Sequence, residues 1–319
     1  MLYSRRELGR LALATLPAAS LAARPLDALA AAIAAKPDSK VAGVQIGLNV
    51  PYDFGNNLMS GDEVLDGCLK LGVSAVELRS QPVELFMGVP KALLTAPPRG
   101  TPPDPEARKI VAEDLRKWRV SAPVSKAKDF RKKYEDAGVL IQILKFDNIL
   151  NFTDEVLDYA FELAKAVGAT AISCELPIDR VEASRRLGQF AEKHKIMIGF
   201  HGHSTMTPAI WEQAFAFSKY NGANLDIGHF IGGNKTSPVP FLKKHHDRIT
   251  HLHIKDKTLK DENVPFGKGD TPIKEVLQLI RDNKWKMQAT IEFEYTIPPG
   301  SDRMTEIAKC VQFCREALA

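Results

Sequence analysis

Four cysteines in 319 residues are too few for a disulfide scaffold, and Cys68, Cys174, Cys310 and Cys314 contain no C-x-x-C pair. Cys310 and Cys314 lie four apart, the spacing of one helix face rather than of a bridge. An excess of one charge sign is also missing. The 43 Lys and Arg against 39 Asp and Glu leave only +4, which argues against a nucleic-acid or membrane surface as the main partner. No Gly-x-Gly-x-x-Gly follows an apolar run, so a dinucleotide-binding sheet is disfavoured, and no glycine-rich phosphate cradle is present. No segment approaches the ~20 apolar residues of a membrane span. What is there is ordinary globular composition, 45% hydrophobic and 26% charged, which excludes disorder and collagen-like structure.

The first residues form a separate block. Ser4-Arg5-Arg6-Glu7-Leu8 precedes an apolar run, Leu11 to Ala23, and small-x-small sites follow at Ala28-Leu29-Ala30 and Ala32-Ile33-Ala34. A basic start, a short apolar stretch and small residues make an export signal, and the Ser-Arg-Arg-x-Leu pattern resembles the twin-arginine type. The competing reading is an amphipathic helix that stays attached. We expect residues 1–35 to be a signal peptide, residues 36–319 to be the mature domain, and the protein to be periplasmic or secreted, with no membrane anchor after cleavage. Residues 1–35 carry Arg5, Arg6, Arg10 and Arg24 against Glu7 and Asp27, so half of the +4 belongs to the leader.

After the leader, short apolar or β-branched runs alternate with helical patterns. The strand candidates are Val41–Leu48, Ala75–Leu78, Leu140–Leu144, Ala171–Cys174, Met197–Phe200, Ala223–Ile227, Ile249–Ile254 and Ala289–Phe293. Helix candidates between and after them include Gly61–Leu71, Ser125–Ala137, Thr153–Val167, Ile178–His194, Pro208–Tyr220, Val239–His246, Pro272–Asn283 and Thr305–Ala319. Eight βα units predict a single-domain α/β fold, a closed (β/α)₈ TIM barrel of ~250 residues, with an open doubly wound sheet as the rival. The proline-rich stretch Pro97–Pro105 continues neither a helix nor a central strand. It reads as a long loop on the active face, followed by a helix over Glu106–Trp118, or as a plain surface excursion.

In a parallel barrel, chemistry collects where strands end. Here the runs end on Glu77, Glu175, His201 and His203, Asp226 and His229, His251 and His253 with Lys255, and Glu292 with Glu294. Five of the eight histidines therefore fall at strand ends beside several carboxylates; His194, His245 and His246 read instead as solvated helix-end residues. Charges on the rim of an apolar barrel must be paired or bound to a metal. An Asp, a His and two Glu around one point suit a divalent cation with open positions, Mn²⁺, Co²⁺, Zn²⁺ or Mg²⁺, and a salt-bridged rim without metal is the competing reading. Strand alternation puts His251 and His253 on one face, and likewise Glu292 and Glu294.

Glu175 at the fourth strand end, Asp226-x-x-His229, His251-Leu252-His253-Ile254-Lys255-Asp256, the following Gly267-Lys268-Gly269-Asp270, and Ile291-Glu292 resemble the xylose isomerase-like (β/α)₈ family of sugar phosphate isomerases and epimerases. The resemblance spans about residues 41–316. It implies one divalent metal held by Glu175, Asp226, His253 and Glu292, with Glu294 the alternative to Glu292. It implies Glu175 and Glu292 as the catalytic acid–base pair. Glu77, His201, His203, His229, Lys255 and Glu294 are then the substrate-binding residues. One departure stands out: the family's Glu-Asn-His segment on the fifth strand reads His201-Gly202-His203 here.

The expected function is a metal-dependent isomerase or epimerase working through an enediolate. Export favours an unphosphorylated sugar or keto-sugar, a small-molecule carbohydrate partner, and no nucleic acid. Association into a homo-oligomer is an expectation from relatives. The first alternative is a lyase or dehydratase of a 3-keto-glycoside or another oxidised sugar. An apurinic-endonuclease-like enzyme and a non-catalytic sugar-binding barrel come behind it. One bound ion per chain fits isomerase or lyase, three fit the nuclease, and none fits the binding protein.

Overall fold

The computed structural model describes residues 36–95 and 104–319. The signal-peptide expectation and most of the proline-rich loop lie outside them. Eight strands form the barrel: β1 Val44–Val50, β2 Ala75–Arg79, β3 Leu140–Lys145, β4 Ala171–Glu175, β5 Met197–His201, β6 Asn221–Asp226, β7 Ile249–Ile254 and β8 Gln288–Ile291. Each pairs in parallel with the next, and β1 pairs with β8 through Ile46–Ala289 and Leu48–Ile291, so the sheet closes. The (β/α)₈ TIM barrel expected from the alternation is thus the fold, and closure removes the open-sheet rival. A two-residue strand, Lys40–Val41, runs antiparallel to the start of β1.

The strands read as continuous Val, Ile and Leu runs because both faces are covered: one by helices, the other by the filled barrel interior. Val44, Ile46, Leu48 and Val50 are all buried, as are Val76, Leu78, Ile172, Ile198, Leu225 and Leu252. The interior is polar for a TIM barrel, since Asn49, Glu77, Lys145, Ser173, Asn224, His251, Gln288 and Thr290 are all buried. Near the barrel floor, Gln288 donates from Nε2 to Thr290 Oγ1 at 2.8 Å. Its side chain fills the space where a Cβ at position 47 would stand, which is why β1 carries Gly47 there.

Two register shifts, at Val76/Glu77 against β3 and at Ala223/Asn224 against β7, re-aim the strand ends that follow them. Helix Gly61–Lys70 opens with a capping box between Ser60 and Glu63. The helix expected over Glu106–Trp118 runs from Pro105 to Ser121, capped by Asp104 with proline at its first position. The sequence reading missed two features near the site. Ile227 does not extend β6 but starts a helix, Ile227–Asn234, with Asp226 as its N-cap. Strand β8 stops at Ile291, so Glu292 and Glu294 sit on the loop beyond it. All four cysteines are free and buried, and burial raises the Cys68 thiol to about 12. No helix among the described residues is long and apolar enough to cross a membrane.

Candidate metal centre

The rim at the strand C-termini gathers four residues from four strand ends: His201 closing β5, Asp226 closing β6, His253 in β7 and Glu292 after β8. Each offers one ligand atom, and the four atoms lie within 4.8 Å of one another. The facing atoms are buried: His201 Nδ1 has no hydrogen-bond partner, while Asp226 Oδ2 and Glu292 Oε2 meet only the Lys255 ammonium and the Nδ1 edge of His253. Burying two carboxylates and two imidazoles at one point is costly, so their convergence calls for an explanation. His253 Nδ1 lies 3.2 Å from Glu292 Oε2 and 3.9 Å from Asp226 Oδ2. Two imidazole nitrogens and two carboxylate oxygens are a donor set that a divalent cation satisfies.

The charge state fits the same reading. Burial and the neighbouring His253 push His201 well down, so it is a neutral imidazole, the form that ligates. Burial alone would raise the Glu292 carboxyl, but His253 and Lys255 outweigh it and hold it well below the usual range. Burial alone would lower His253, yet Glu292 and Glu77 push it up to about 10. The carboxylates demand a positive charge at this point, and the His253 proton supplies it.

Three further side chains brace the set. Glu77 lies beneath it, fully buried, and its Oε2 takes His253 Nε2 at 2.5 Å and His251 Nε2 at 3.1 Å. That contact leaves His253 Nδ1 as the nitrogen turned to Asp226 and Glu292. The expectation that Glu77 meets substrate is therefore corrected: it is enclosed on every side and orients a histidine. His251, one turn of the strand period deeper, shares the same carboxylate. Asn49 donates from Nδ2 to Glu292 Oε1 at 2.9 Å. Asp53 staples the seam beside it, accepting from the backbone of Asn49 at 3.0 Å and of Phe293 at 2.9 Å.

Lys255 closes one side. Its Nζ is 3.1 Å from Asp226 Oδ2, 2.7 Å from Glu292 Oε2 and 2.6 Å from Glu294 Oε2. Glu294 accepts from the Tyr52 hydroxyl at 2.8 Å, so it sits one layer outside Glu292. Of the two candidate glutamates, Glu292 is the one grouped with His201, Asp226 and His253, and Glu294 belongs to a separate group with His229 and Glu292.

Glu175 is not drawn into the four-residue set. Its Oε1 accepts from buried Lys145 at 2.8 Å and its Oε2 faces His203 Nε2 at 3.0 Å. Burial alone would raise Glu175, but His201, His203 and Lys145 hold it far below the usual carboxylate range. It is ionised and partly open, with 39% of its side chain exposed. His203 is raised by its contact with Glu175 and lies at the mouth. His229 Nδ1 lies 2.9 Å from Ser204 Oγ, whose hydroxyl donates to Asp261 Oδ1, and Nε2 faces the Lys255 ammonium at 3.0 Å. The His-x-His-x-Lys-Asp segment and the Gly-x-Gly after it are joined physically: Asp256 Oδ2 accepts from the backbone of Gly267, Lys268 and Gly269 at 2.7, 3.1 and 3.0 Å. That brace fixes the loop behind Lys255. Ser204 and Lys257, both absent from the sequence reading, complete the His229 side through Asp261.

Residues 160–317 match the family model described as xylose isomerase-like TIM barrel. The match covers 158 of the 319 residues, the C-terminal part of the barrel. Among solved structures, xylose isomerase-like relatives share the fold across the described barrel. D-psicose 3-epimerase with D-tagatose from Clostridium cellulolyticum H10 is 10% identical over 86% of this chain and 99% of that one, with a TM-score of 0.60. The probable 3-DHS dehydratase AsbF, involved in petrobactin synthesis, from Bacillus anthracis is 14% identical over 85% and 99%, also at 0.60. A xylose isomerase domain protein from Planctomyces limnophilus is 14% identical over 86% and 96%, at 0.56. No curated protein matches the chain. The neighbours thus include a sugar epimerase and a dehydratase on one xylose isomerase-like scaffold.

Proposed function

We propose that this protein is a divalent-metal-dependent isomerase or epimerase of an unphosphorylated sugar or keto-sugar, acting by way of an enediolate. The observation that carries the reading is the convergence of four buried ligand atoms, within 4.8 Å of one another, on His201, Asp226, His253 and Glu292. These four residues would hold the ion, with His201 where the family resemblance led us to expect Glu175. When bound, the ion supplies Lewis-acid polarisation of the substrate's carbonyl and neighbouring hydroxyl oxygens.

The chain's own groups do the rest. Glu175 is the ionised carboxylate that opens toward the mouth, and its Oε2 is placed to take the proton from the carbon beside the carbonyl. His203, 3.0 Å away, holds that carboxylate in position and shares the proton with it. Glu292 acts from the other side as the second member of the acid–base pair. Lys255 keeps Glu292 ionised and places a positive charge beside the developing oxyanion. His229 is oriented by Ser204 to meet a substrate hydroxyl. The twin-arginine-like leader supports a periplasmic or secreted setting, where phosphorylated sugars are scarce.

Proton–deuterium exchange in D₂O across free sugars and 3-keto-glycosides tests this. Exchange of a carbon-bound proton without loss of substrate is the expected result. Exchange accompanied by loss of water or aglycone would mark a lyase or dehydratase instead. Absence of exchange on the whole panel with metal bound would sink the proposal.

A further inference from the structure

Beside the metal centre, on the same rim, lies a cavity of about 1200 Å³. It is built from the loops after β1, β2 and β3 and from helix Pro105–Ser121, so none of the four proposed metal ligands lines it. Its volume exceeds the ~300–1,000 Å³ usual for small-molecule pockets. A second, smaller hollow bridges the two places. It is lined by Tyr52 and Glu294 on the centre's side, and it shares Gly55 and Asn57 with the large cavity. The two hollows adjoin at Gly55 and Asn57, and the smaller one reaches Glu294.

The cavity wall is built rather than incidental. Arg79 clamps Asp147 with Nη1 2.8 Å from both carboxylate oxygens, and Gln81 Nε2 donates to Asp147 Oδ2 at 3.1 Å. Gln81 and Arg79 thus fix the Asp147 carboxylate, which keeps 36% of its side chain exposed at the cavity. Asn148 holds a left-handed backbone, φ 58°, at the same corner. Across the cavity, Arg119 lies 4.7 Å over the Phe152 ring and is tied to buried Glu84 at 2.8 Å. Leu58, Leu93 and Leu94 supply apolar surface between these groups. Amides, a carboxylate and guanidinium groups interleaved with apolar patches match a sugar ring, which offers hydroxyls at its edge and C–H groups on its faces.

We propose that this cavity is a second subsite, which binds a further sugar ring joined by a glycosidic bond to the ring that reacts at the centre. The substrate class is then a disaccharide or larger glycoside rather than a free monosaccharide. This rests on reading the four-residue centre as the reacting site. Asp147 accepts from a hydroxyl of the second ring, and Gln81 and Arg79 fix the orientation of its carboxylate. Residues of helix Pro105–Ser121 form the outer wall.

Equilibrium binding to the full-length protein loaded with Mn²⁺ tests the subsite without relying on turnover. The probes are glucose, galactose and xylose against cellobiose, maltose, lactose and xylobiose, with phenyl glucoside as a control. Two or three added hydrogen bonds correspond to about tenfold or more in affinity. The best-bound disaccharide should therefore exceed its own monosaccharide by that factor. Ala112 is exposed on helix Pro105–Ser121 and faces the cavity, so Ala112→Trp fills it without disturbing the barrel. That variant should erase the disaccharide advantage and leave monosaccharide affinity within about twofold. Gln81→Ala should remove part of the same advantage. If no disaccharide outbinds its monosaccharide, or if Ala112→Trp keeps the advantage, the subsite is overturned. If phenyl glucoside alone gains affinity, the sugar-ring occupant is overturned in favour of an aromatic aglycone. A disaccharide that binds tightly yet never exchanges a carbon-bound proton overturns the isomerase reading while the subsite stands.

Discussion

Asp226→Asn separates the structural work of Asp226 from its proposed metal work. Oδ1 caps helix Ile227–Asn234 by accepting from the His229 backbone at 2.7 Å, and Oδ2 is the buried oxygen facing His253 and Lys255. Asparagine caps a helix as well as aspartate does, so the cap survives while the anionic oxygen is lost. Lys255 keeps Glu292 and Glu294 as partners. At free metal about 100 times its Kd, the folded wild type gains about 2.7 kcal/mol. Even partners behind a metal ligand cost about 10–100-fold in affinity when removed, and losing a ligand costs at least as much. An affinity about 100-fold weaker leaves a gain of only about 0.4 kcal/mol at the same metal concentration. At about 2–4 °C per kcal/mol, the wild type should rise by about 5–10 °C and the variant by about 1 °C. The assay is thermal unfolding of each protein in EDTA and in Mn²⁺ or Zn²⁺, read as the difference between the two conditions, so any cost to the metal-free variant cancels. Equal metal-induced shifts in wild type and Asp226→Asn would refute the four-residue centre.

Three more outcomes follow from the same geometry. Glu292→Gln keeps the oxygen that Asn49 bonds, so the fold should survive while turnover falls at least about a hundredfold; near-normal turnover with metal bound would remove Glu292 from the acid–base pair. Glu77→Gln, beneath His253, should weaken metal affinity about 10–100-fold in a competition titration, and an unchanged affinity would show that His253 needs no such brace. Glu84→Ala leaves Arg119 and the Tyr159 hydroxyl without their carboxylate in a buried setting, and should cost about 3–5 kcal/mol in denaturant unfolding. A loss below about 1 kcal/mol would mean that Arg119 relaxes to solvent.

The level at which the sequence was legible differs from residue to residue. The eight strands could be placed because each is an apolar run buried on both faces, and that pattern is local. Ile249–Ile254 was found to the residue, and β4 and β5 within one. The helix Ile227–Asn234 was missed because its Ile-Gly-His-Phe-Ile start continues an apolar strand run, and only the Asp226 cap turns the chain. Likewise, strand β8 stops one residue before Glu292.

Residue order alone was enough for the barrel and for the rim on which chemistry gathers, while the placing of Asp226, His253 and Glu292 in one cluster came from the family resemblance. Strand alternation and the C-terminal rim rule need only the order of residues. What the tertiary structure decided is which atoms meet. His201 joins the set because β5 brings it beside β6 and β7, while Lys145 reaches across from β3 to occupy Glu175. Glu77, whose strand-end position reads as substrate-facing, turns inward after the register shift at Val76 and is consumed by two imidazoles. The cavity beside the centre comes from three loops and a helix far apart in the chain. These outcomes turn on contacts across strands, where hydrogen-bond and charge partners separated by 30 to 243 residues compete for the same atoms, and no local pattern encodes who wins.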